Sequence, residues 1–471
     1  MSAETKKIKI EQEIILDNIK DEAIMSGMGP NDKKEEAEIK EEVAVIDEDK
    51  LAKLKAKLAA KEDSMKPTEE KKVIKKDRTL NIGFLGSGQC GSRLAAEFFS
   101  KGYNSFVINT ASQDLEFIDL PESNKLLLDN SVGGAAKDLQ IGKSMAENYR
   151  SQIKALVNTN FAANDVIMIL SSLGGGSGAG SLTTLIEIVA ETGKPIIVCC
   201  VLPLNSDDSQ TKSNSLITLS QIASMAQNKT IANLILIDNA KIESIYSDVS
   251  QLDFFELSNK VISEPLHALN KLSSMPSKIK SLDGMELIKI MLDGEGLTSY
   301  GKMVIKNYNE DETAIASSII DHMSSNLLSD LDIKKAKYVG FAMVATESVI
   351  RSISSAALNY ASSILNETCS SPNGVFRGIY IDNEMKDEDG LVIYSIFSGL
   401  DLPQKRIESL KKEVEGLNVT IKGKNEQRNL SMNVDLGEKV ISKTQEIKDK
   451  ISASKSTFGK FSSGIIDKRN K

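Results

Sequence analysis

The sequence predicts an α/β chain: a doubly wound parallel sheet, a long central helix and a second α+β domain. Short apolar runs alternate with stretches of helical periodicity over 78–252, the pattern of successive βαβ units. Glycine clusters stand at the ends of several of those runs, where such sheets hold ligands. A long helical stretch from about 253 to 272 then leads into a region whose strands and helices follow a different order.

Residues 1–77 are dominated by lysine and glutamate, and 51–61 reads Leu-Ala-Lys-Leu-Lys-Ala-Lys-Leu-Ala-Ala-Lys, helical in spacing but without an aromatic or long apolar face. Such a segment buries too little apolar surface to fold alone, so a charged, largely disordered or helical extension is expected, with a partner helix as the alternative. The first strand is expected at 80–85, followed by a helix at 92–101 and a strand at 104–109. Further strands are expected at 166–170, 196–202 and 234–238, separated by helices at 143–157, 182–191 and 212–227. Residues 253–284 hold the central helix and the loop after it. The second domain, 285–417, has helices at 285–292, 313–328, 348–366 and 403–417 and strands at 338–346, 375–381 and 391–398. Residues 418–471 turn polar and end in recurring Lys and Arg, a flexible basic tail.

The 471-residue chain carries 58 Lys and Arg against 66 Asp and Glu, a net charge of −8. It therefore lacks the positive field of a direct nucleic-acid binder. Its four cysteines (Cys90, Cys199, Cys200, Cys369) show no CxxC spacing, and His267 and His322 are its only histidines. That scarcity argues against a zinc site and against a nucleophile worked by a histidine base. No apolar run approaches the roughly 20 residues of a membrane span. Charges interrupt residues 1–22 where a secretion signal would need an apolar core, so a cytoplasmic location is expected.

The densest motif is Ser171-Ser-Leu-Gly-Gly-Gly-Ser-Gly-Ala-Gly-Ser181, in which Gly174, Gly175, Gly176, Gly178 and Gly180 surround Ser177 and Ala179. Five glycines in seven residues are expected to be a loop throughout. A strand that passes through side-chain-free backbone into a helix N-terminus turns several N–H groups toward one point, which makes a phosphate cradle. Ser177 and Ser181 would add hydroxyls.

Two more loops qualify. Gly86-Ser-Gly-Gln-Cys-Gly91 follows the first strand and formally satisfies GxGxxG, offering Gly86, Gly88, Gln89 and Cys90. Read alone it suggests a dinucleotide fold, but a nicotinamide site wants an acid at the end of the second strand, where this chain has Asn109-Thr110. Gly142-Lys143-Ser144 ends like a Walker A loop, yet the glycine required five positions earlier is Lys137. Together with Gly133, Gly134 and Ala135, the glycine segments describe a site made of three loops from three strand ends, without a catalytic lysine.

That constellation resembles the tubulin/FtsZ superfamily of GTPases. Gly174-Gly-Gly-Ser-Gly-Ala-Gly180 is similar to the family's GGGTGTG signature, with Ser177 and Ala179 in place of the threonines. Gly88-Gln-Cys-Gly91 is similar to the tubulin form of the first phosphate loop, Asn109-Thr-Ala-Ser-Gln-Asp-Leu115 to the second loop of FtsZ, and Gly133-Gly134-Ala135 falls where the family senses the γ-phosphate. The likeness spans roughly residues 80–417 in the family's motif order. It implies GTP or GDP with Mg²⁺ as ligands, Asn239 as a guanine contact, Phe255 as the ring stacked on the base, and Asn259 as a second amide that reads it. Phe255 and Asn259 lie four apart, on one face of the central helix.

After that helix comes Ile279-Lys-Ser-Leu-Asp-Gly-Met-Glu286, with Asp283 and Glu286 three apart. Acids at this spacing ordinarily cap helices. The resemblance implies that they are the catalytic pair of the synergy loop, projecting into the nucleotide site of the next subunit in a head-to-tail homopolymer. Ser281 stands where the family often has Asn, and the loop with Asp207, Asp208 and Lys212 lacks the FtsZ Glu and Arg.

The basic tail and Phe397-Ser-Gly-Leu-Asp-Leu-Pro403 are more similar to plasmid and phage tubulins of the TubZ type, whose filaments move DNA and whose tails engage a DNA-bound adaptor. A division-ring protein is the alternative within the superfamily, a non-polymerising nucleotide-binding protein the alternative from another class, and a nicotinamide oxidoreductase the most distant.

Overall fold

The computed structural model describes residues 77–128, 133–324, 331–369 and 372–427. The expected N-terminal extension lies outside the described residues up to residue 76; of the tail expected over 418–471, residues 418–427 instead continue the last helix, and the rest lies outside the described residues.

The first half follows the expected alternation. Strand β1 (Ile82–Ser87) leads into α1 (Gly88–Ser100), then β2 (Asn104–Asn109), the short α2 (Ser112–Glu116) and β3 (Lys125–Leu127). Helices α3 (Leu139–Asn148) and α4 (Arg150–Asn160) precede β4 (Val166–Ser172), α5 (Ser177–Ala190) and β5 (Ile196–Leu202). Next come α6 (Ser209–Gln227), β6 (Asn233–Asp238), α7 (Asn239–Ile245) and the 22-residue α8 (Gln251–Leu272).

The second half holds α9 (Gly284–Leu292), β7 (Leu297–Ile305), α10 (Ala314–Ser324), β8 (Tyr338–Ala345), α11 (Glu347–Ser352) and α12 (Ser355–Thr368). It closes with β9 (Gly374–Ile381), β10 (Leu391–Leu400) and α13 (Gln404–Gln427).

All ten strands form one sheet in the order β3-β2-β1-β4-β5-β6-β7-β10-β8-β9. The strands of the second half therefore extend the first sheet, through the parallel pairing of Leu234 with Leu297 and Ile235 with Thr298. Pairing is parallel up to that junction and antiparallel for β7 with β10 and β10 with β8. In β4, Ile167 and Ile169 enter the core on one face of the sheet, while Val166, Met168 and Leu170 enter the core on the other. Burial on both faces explains the unbroken apolar run of a parallel strand.

Several expected elements change. The 174–180 segment is not a loop throughout, because α5 begins at Ser177 and takes Gly178 and Gly180 into its first turn. Close packing accounts for those glycines: a β-carbon at Gly178 would sit 2.8 Å from the Ser87 carbonyl oxygen, and one at Gly180 would sit 2.4 Å from that of Leu139. Likewise α1 starts at Gly88, inside the GxGxxG segment. The helix expected at 143–157 breaks at Tyr149 into α3 and α4. That expected at 348–366 breaks at Ser354, whose hydroxyl caps α12 by accepting from the Ala357 N–H at 3.0 Å. Strand β7 went unrecognised because its buried end is partly polar, with Thr298 and Ser299 inside the fold, so no apolar alternation marks it.

Candidate functional site

The three glycine segments meet at the carboxyl ends of β1 and β4. Gly88 takes the left-handed backbone (φ 68°) and its missing side chain leaves room for Gly178, whose N would lie 2.8 Å from a β-carbon there. Gly176 packs on the third segment, where a β-carbon would come within 2.8 Å of the Ala135 side chain. Hydroxyls tie the same strand ends together: Ser87 with Ser181 at 2.7 Å, and Thr110 with Ser177. The Gly134 N–H donates to the Thr110 carbonyl at 2.8 Å.

A cavity of about 220 Å³ opens beside this cradle. Of the expected ligand residues, Gln89, Cys90, Gly174, Gly175, Asn239, Phe255 and Asn259 line it. Gly86, Gly88, Gly133, Gly134, Ala135, Gly176, Ser177, Gly178, Ala179 and Gly180 are not among its lining residues. Asn109 is 1% exposed and spent on structure: its amide oxygen accepts from the Thr110 N–H at 2.8 Å and its amide nitrogen donates to Asp114 at 3.0 Å. The Gln89 amide donates to the other oxygen of Asp114 at 3.0 Å, so one carboxylate steadies two of the expected residues.

The half-buried Phe255 ring, also in the lining, has the Arg93 guanidinium over its face, 5.6 Å from the centroid. Asn259 follows one turn later on α8, and Asn239 opens α7 behind its cap Asp238. An aromatic ring and two amides lining one cavity suit a planar heterocycle bearing donors and acceptors. Burial pushes the Cys90 thiol up to about 11, so it stays protonated and is no nucleophile.

Sequence reasoning missed Arg93, Lys137 and Ser258, which also line the cavity. Ser258 is 3% exposed and its hydroxyl has no hydrogen-bond partner among the described residues. Only the helical spacing of Ser258 beside Phe255 and Asn259 could have flagged it.

Asp207 accepts from the Leu204 N–H at 2.8 Å and lines the cavity, and Asp208 caps α6 by accepting from the Thr211 N–H at 2.8 Å. Lys212 turns away: it is 3% exposed, donates to the Asn205 carbonyl at 2.6 Å and pairs with Glu413 of α13 at 3.1 Å. Arg406 of the same helix lies 3.0 Å from both Asp238 and Glu413 and donates to the Pro203 carbonyl at 3.3 Å. Burial pushes the Asp238 carboxyl above its ordinary range in spite of Arg406. A charged clasp thus fastens α13 to the strand ends next to Asn239.

Asp283 and Glu286 lie elsewhere. They form a reciprocal capping box on α9: Asp283 accepts from the Glu286 N–H at 2.8 Å, and Glu286 from the Asp283 N–H at 2.9 Å. A β-carbon on the intervening Gly284 would lie 3.0 Å from the Thr79 methyl, just before β1. The acids therefore sit at the amino end of β1, roughly 20 Å of strand away from the cradle. Ser281 accepts from the Ser277 N–H at 3.1 Å, and the Tyr380 hydroxyl accepts from the Leu282 N–H at 3.0 Å, which pins the loop to β9. Burial pushes the Glu286 carboxyl upward, while Asp283 is exposed.

Among the described residues no His, Cys, Asp and Glu cluster could hold a metal by itself, and no helix is long and apolar enough to cross a membrane.

Residues 81–247 match the Tubulin/FtsZ family, GTPase domain, and residues 268–411 match the C-terminal domain of Tubulin/FtsZ-like protein TubZ-like. The chain is similar to the tubulin-like protein TubZ of Bacillus cereus, 26% identical over 384 residues, covering 74% of this chain and 85% of that protein. It is also similar to the tubulin-like protein CetZ of Pyrococcus furiosus, 25% identical over 359 residues, with 74% and 93% covered. In fold it resembles the GTPγS-form protofilament structure of TubZ from Bacillus thuringiensis serovar israelensis, at a TM-score of 0.67 and 19% identity, covering 76% of this chain and 96% of that one.

Proposed function

From the premise that the chain belongs to the tubulin/FtsZ family, we propose that it is a filament-forming GTPase that hydrolyses GTP between head-to-tail subunits. The observation that carries this reading is the separation of cradle and acids along one strand. A subunit with phosphate-binding N–H groups at one end and free carboxylate oxygens at the other completes a hydrolytic site only by stacking. Such a contact is heterologous and does not close, so it propagates as a filament.

In the assembled site, the glycine-segment N–H groups would neutralise the phosphates, while Phe255, Asn239 and Asn259 hold guanine. The exposed Asp283 would orient the attacking water, with the half-buried Glu286 beside it. A magnesium ion, when bound, supplies charge compensation on the phosphates. Asp207 is the one carboxylate among the cavity-lining residues, and Mg²⁺ commonly needs only one or two carboxylates besides phosphate and water.

Apolar side chains flank the acids. Ile279 and Met285 are 53% and 62% exposed, as expected of a surface that a partner covers. Plasmid DNA segregation, with the basic tail engaging a DNA-bound adaptor, is the cellular role favoured by the match to the TubZ-like C-terminal domain, and it would place the protein in the cytoplasm.

The test is GTP hydrolysis per subunit against protein concentration, with light scattering in parallel, for wild type and Asp283→Ser. A threshold concentration, GTP-dependent scattering and a variant that assembles but hardly hydrolyses are expected. Activity strictly proportional to protein, without scattering and indifferent to the substitution, would overturn the proposal.

A further inference from the structure

Lys137 stands where a Walker loop would need its first glycine, yet it lines the cavity, and Asn214 ties its carbonyl to that of Gly174. The lining residues include two cations, and the other, Arg93, lies over Phe255 at the base end. Lys137 is thus the cation of the phosphate end.

Its backbone is held in a rare conformation. Ala136 and Lys137 have φ of 46° and 63°, a left-handed pair without glycine that persists only where surroundings enforce it. The enforcement is visible. Asn214, 2% exposed, donates to the Lys137 carbonyl at 2.7 Å and to the Gly174 carbonyl at 3.1 Å, fastening this loop to the cradle. The Asp138 N–H donates to the Ala135 carbonyl at 2.7 Å and closes the turn.

The Lys137 ammonium is paired with Asp208, and both side chains are about half exposed, 49% and 52%. Exposed pairs of this kind are weak. Asp208 keeps its place without the lysine, because it also caps α6 through the Thr211 N–H and hydroxyl. A terminal phosphate carries more charge than a carboxylate and outbids it for the ammonium.

We propose that Lys137 is the terminal-phosphate contact that distinguishes nucleoside triphosphate from diphosphate, exchanging Asp208 for the γ-phosphate when triphosphate binds. This rests on the reading of the cavity as a guanine-nucleotide site. Because Asp208 starts α6, the exchange also reports the γ-phosphate to that helix.

The experiment measures dissociation constants of the full chain for GTPγS and for GDP in one magnesium buffer, for wild type, Lys137→Gln, Lys137→Arg, Lys137→Gly and Asp208→Asn. Lys137→Gln is expected to weaken GTPγS about tenfold and GDP less than about twofold, and Lys137→Arg to restore the preference. Asp208→Asn removes the competing anion and is expected to tighten GTPγS about twofold. Lys137→Gly accepts the left-handed backbone, so it is expected to melt no lower than wild type while losing the preference, which separates the contact from folding. Equal weakening of both nucleotides, or of neither, overturns the role of Lys137. Wild type that binds neither guanine nucleotide overturns the reading of the site itself.

Discussion

The two ends of β1 are built from different materials. At the carboxyl end the proposed site is made of backbone N–H groups, and side chains are missing so that three segments can touch. A β-carbon at Gly91 would lie 2.1 Å from the Leu170 carbonyl oxygen, and one at Gly142 would lie 2.1 Å from that of Gly176. At the amino end the proposed site is a pair of carboxylates, held by a capping box on a loop that Tyr380 pins through the Leu282 N–H. A backbone site tolerates almost no added atom, whereas a side-chain site tolerates exchange if the cap survives.

That contrast can be broken most severely at Asp283. Serine caps helices about as well as aspartate but carries no charge, so Asp283→Ser should keep its stability while GTP turnover in assembled material falls at least about a hundredfold. Asp283→Ala should lose the turnover and, in a denaturant melt, about 1 kcal/mol as well. Equal turnover in the two variants and wild type would reduce the acid to a cap.

At the other end, Gly178→Ala places a methyl 2.7 Å from the Ser171 hydroxyl and 2.8 Å from the Ser87 carbonyl oxygen. A cost of about 1–3 kcal/mol is expected, and nucleotide affinity, read by titration, should drop with it. The apolar rim of the acids is the next test. Met285→Glu should raise the critical concentration for scattering about tenfold, from lost burial of the side chain, with monomer nucleotide binding unchanged.

Smaller effects sharpen the picture. Tyr380→Phe removes the acceptor for Leu282 N–H and the donor to Leu282 carbonyl, and should cost about 1 kcal/mol and slow hydrolysis more than it weakens nucleotide binding. His267 and His322 are the only histidines of the chain, and burial holds both below the ordinary value of 6.5. A group depressed in the fold binds its proton more readily when unfolded, so stability is full above that value and declines as pH falls through it. Melting temperature should therefore slip as pH falls below about 6.5, and His322→Gln should flatten part of that slope.

The glycine segments were legible because each is a short contiguous motif whose chemistry is carried by its own backbone. The strand–helix alternation was legible for the same reason, since β4 and β5 are buried on both faces and read as apolar runs. Asp283 with Glu286 was legible as a cap, and the capping box is there. Strand β7 was not, because Thr298 and Ser299 are buried without an apolar signal, and Asn109 drew attention as a ligand although its bonds serve its own loop.

The sequence by itself determined the parallel sheet, the glycine cradle, the aromatic ring and amide one turn apart on α8, and the paired acids, all of them features set by neighbours within a few residues. Only the tertiary structure decided that the second half extends the first sheet and that Lys212 belongs to the clasp of α13. It also decided that Lys137 meets Asp208, 71 residues away, and that Arg406 reaches Pro203, 203 residues away. Periodicity and spacing register bonds along the chain, whereas a charge finds its partner through space, once the core has fixed which distant segments lie side by side.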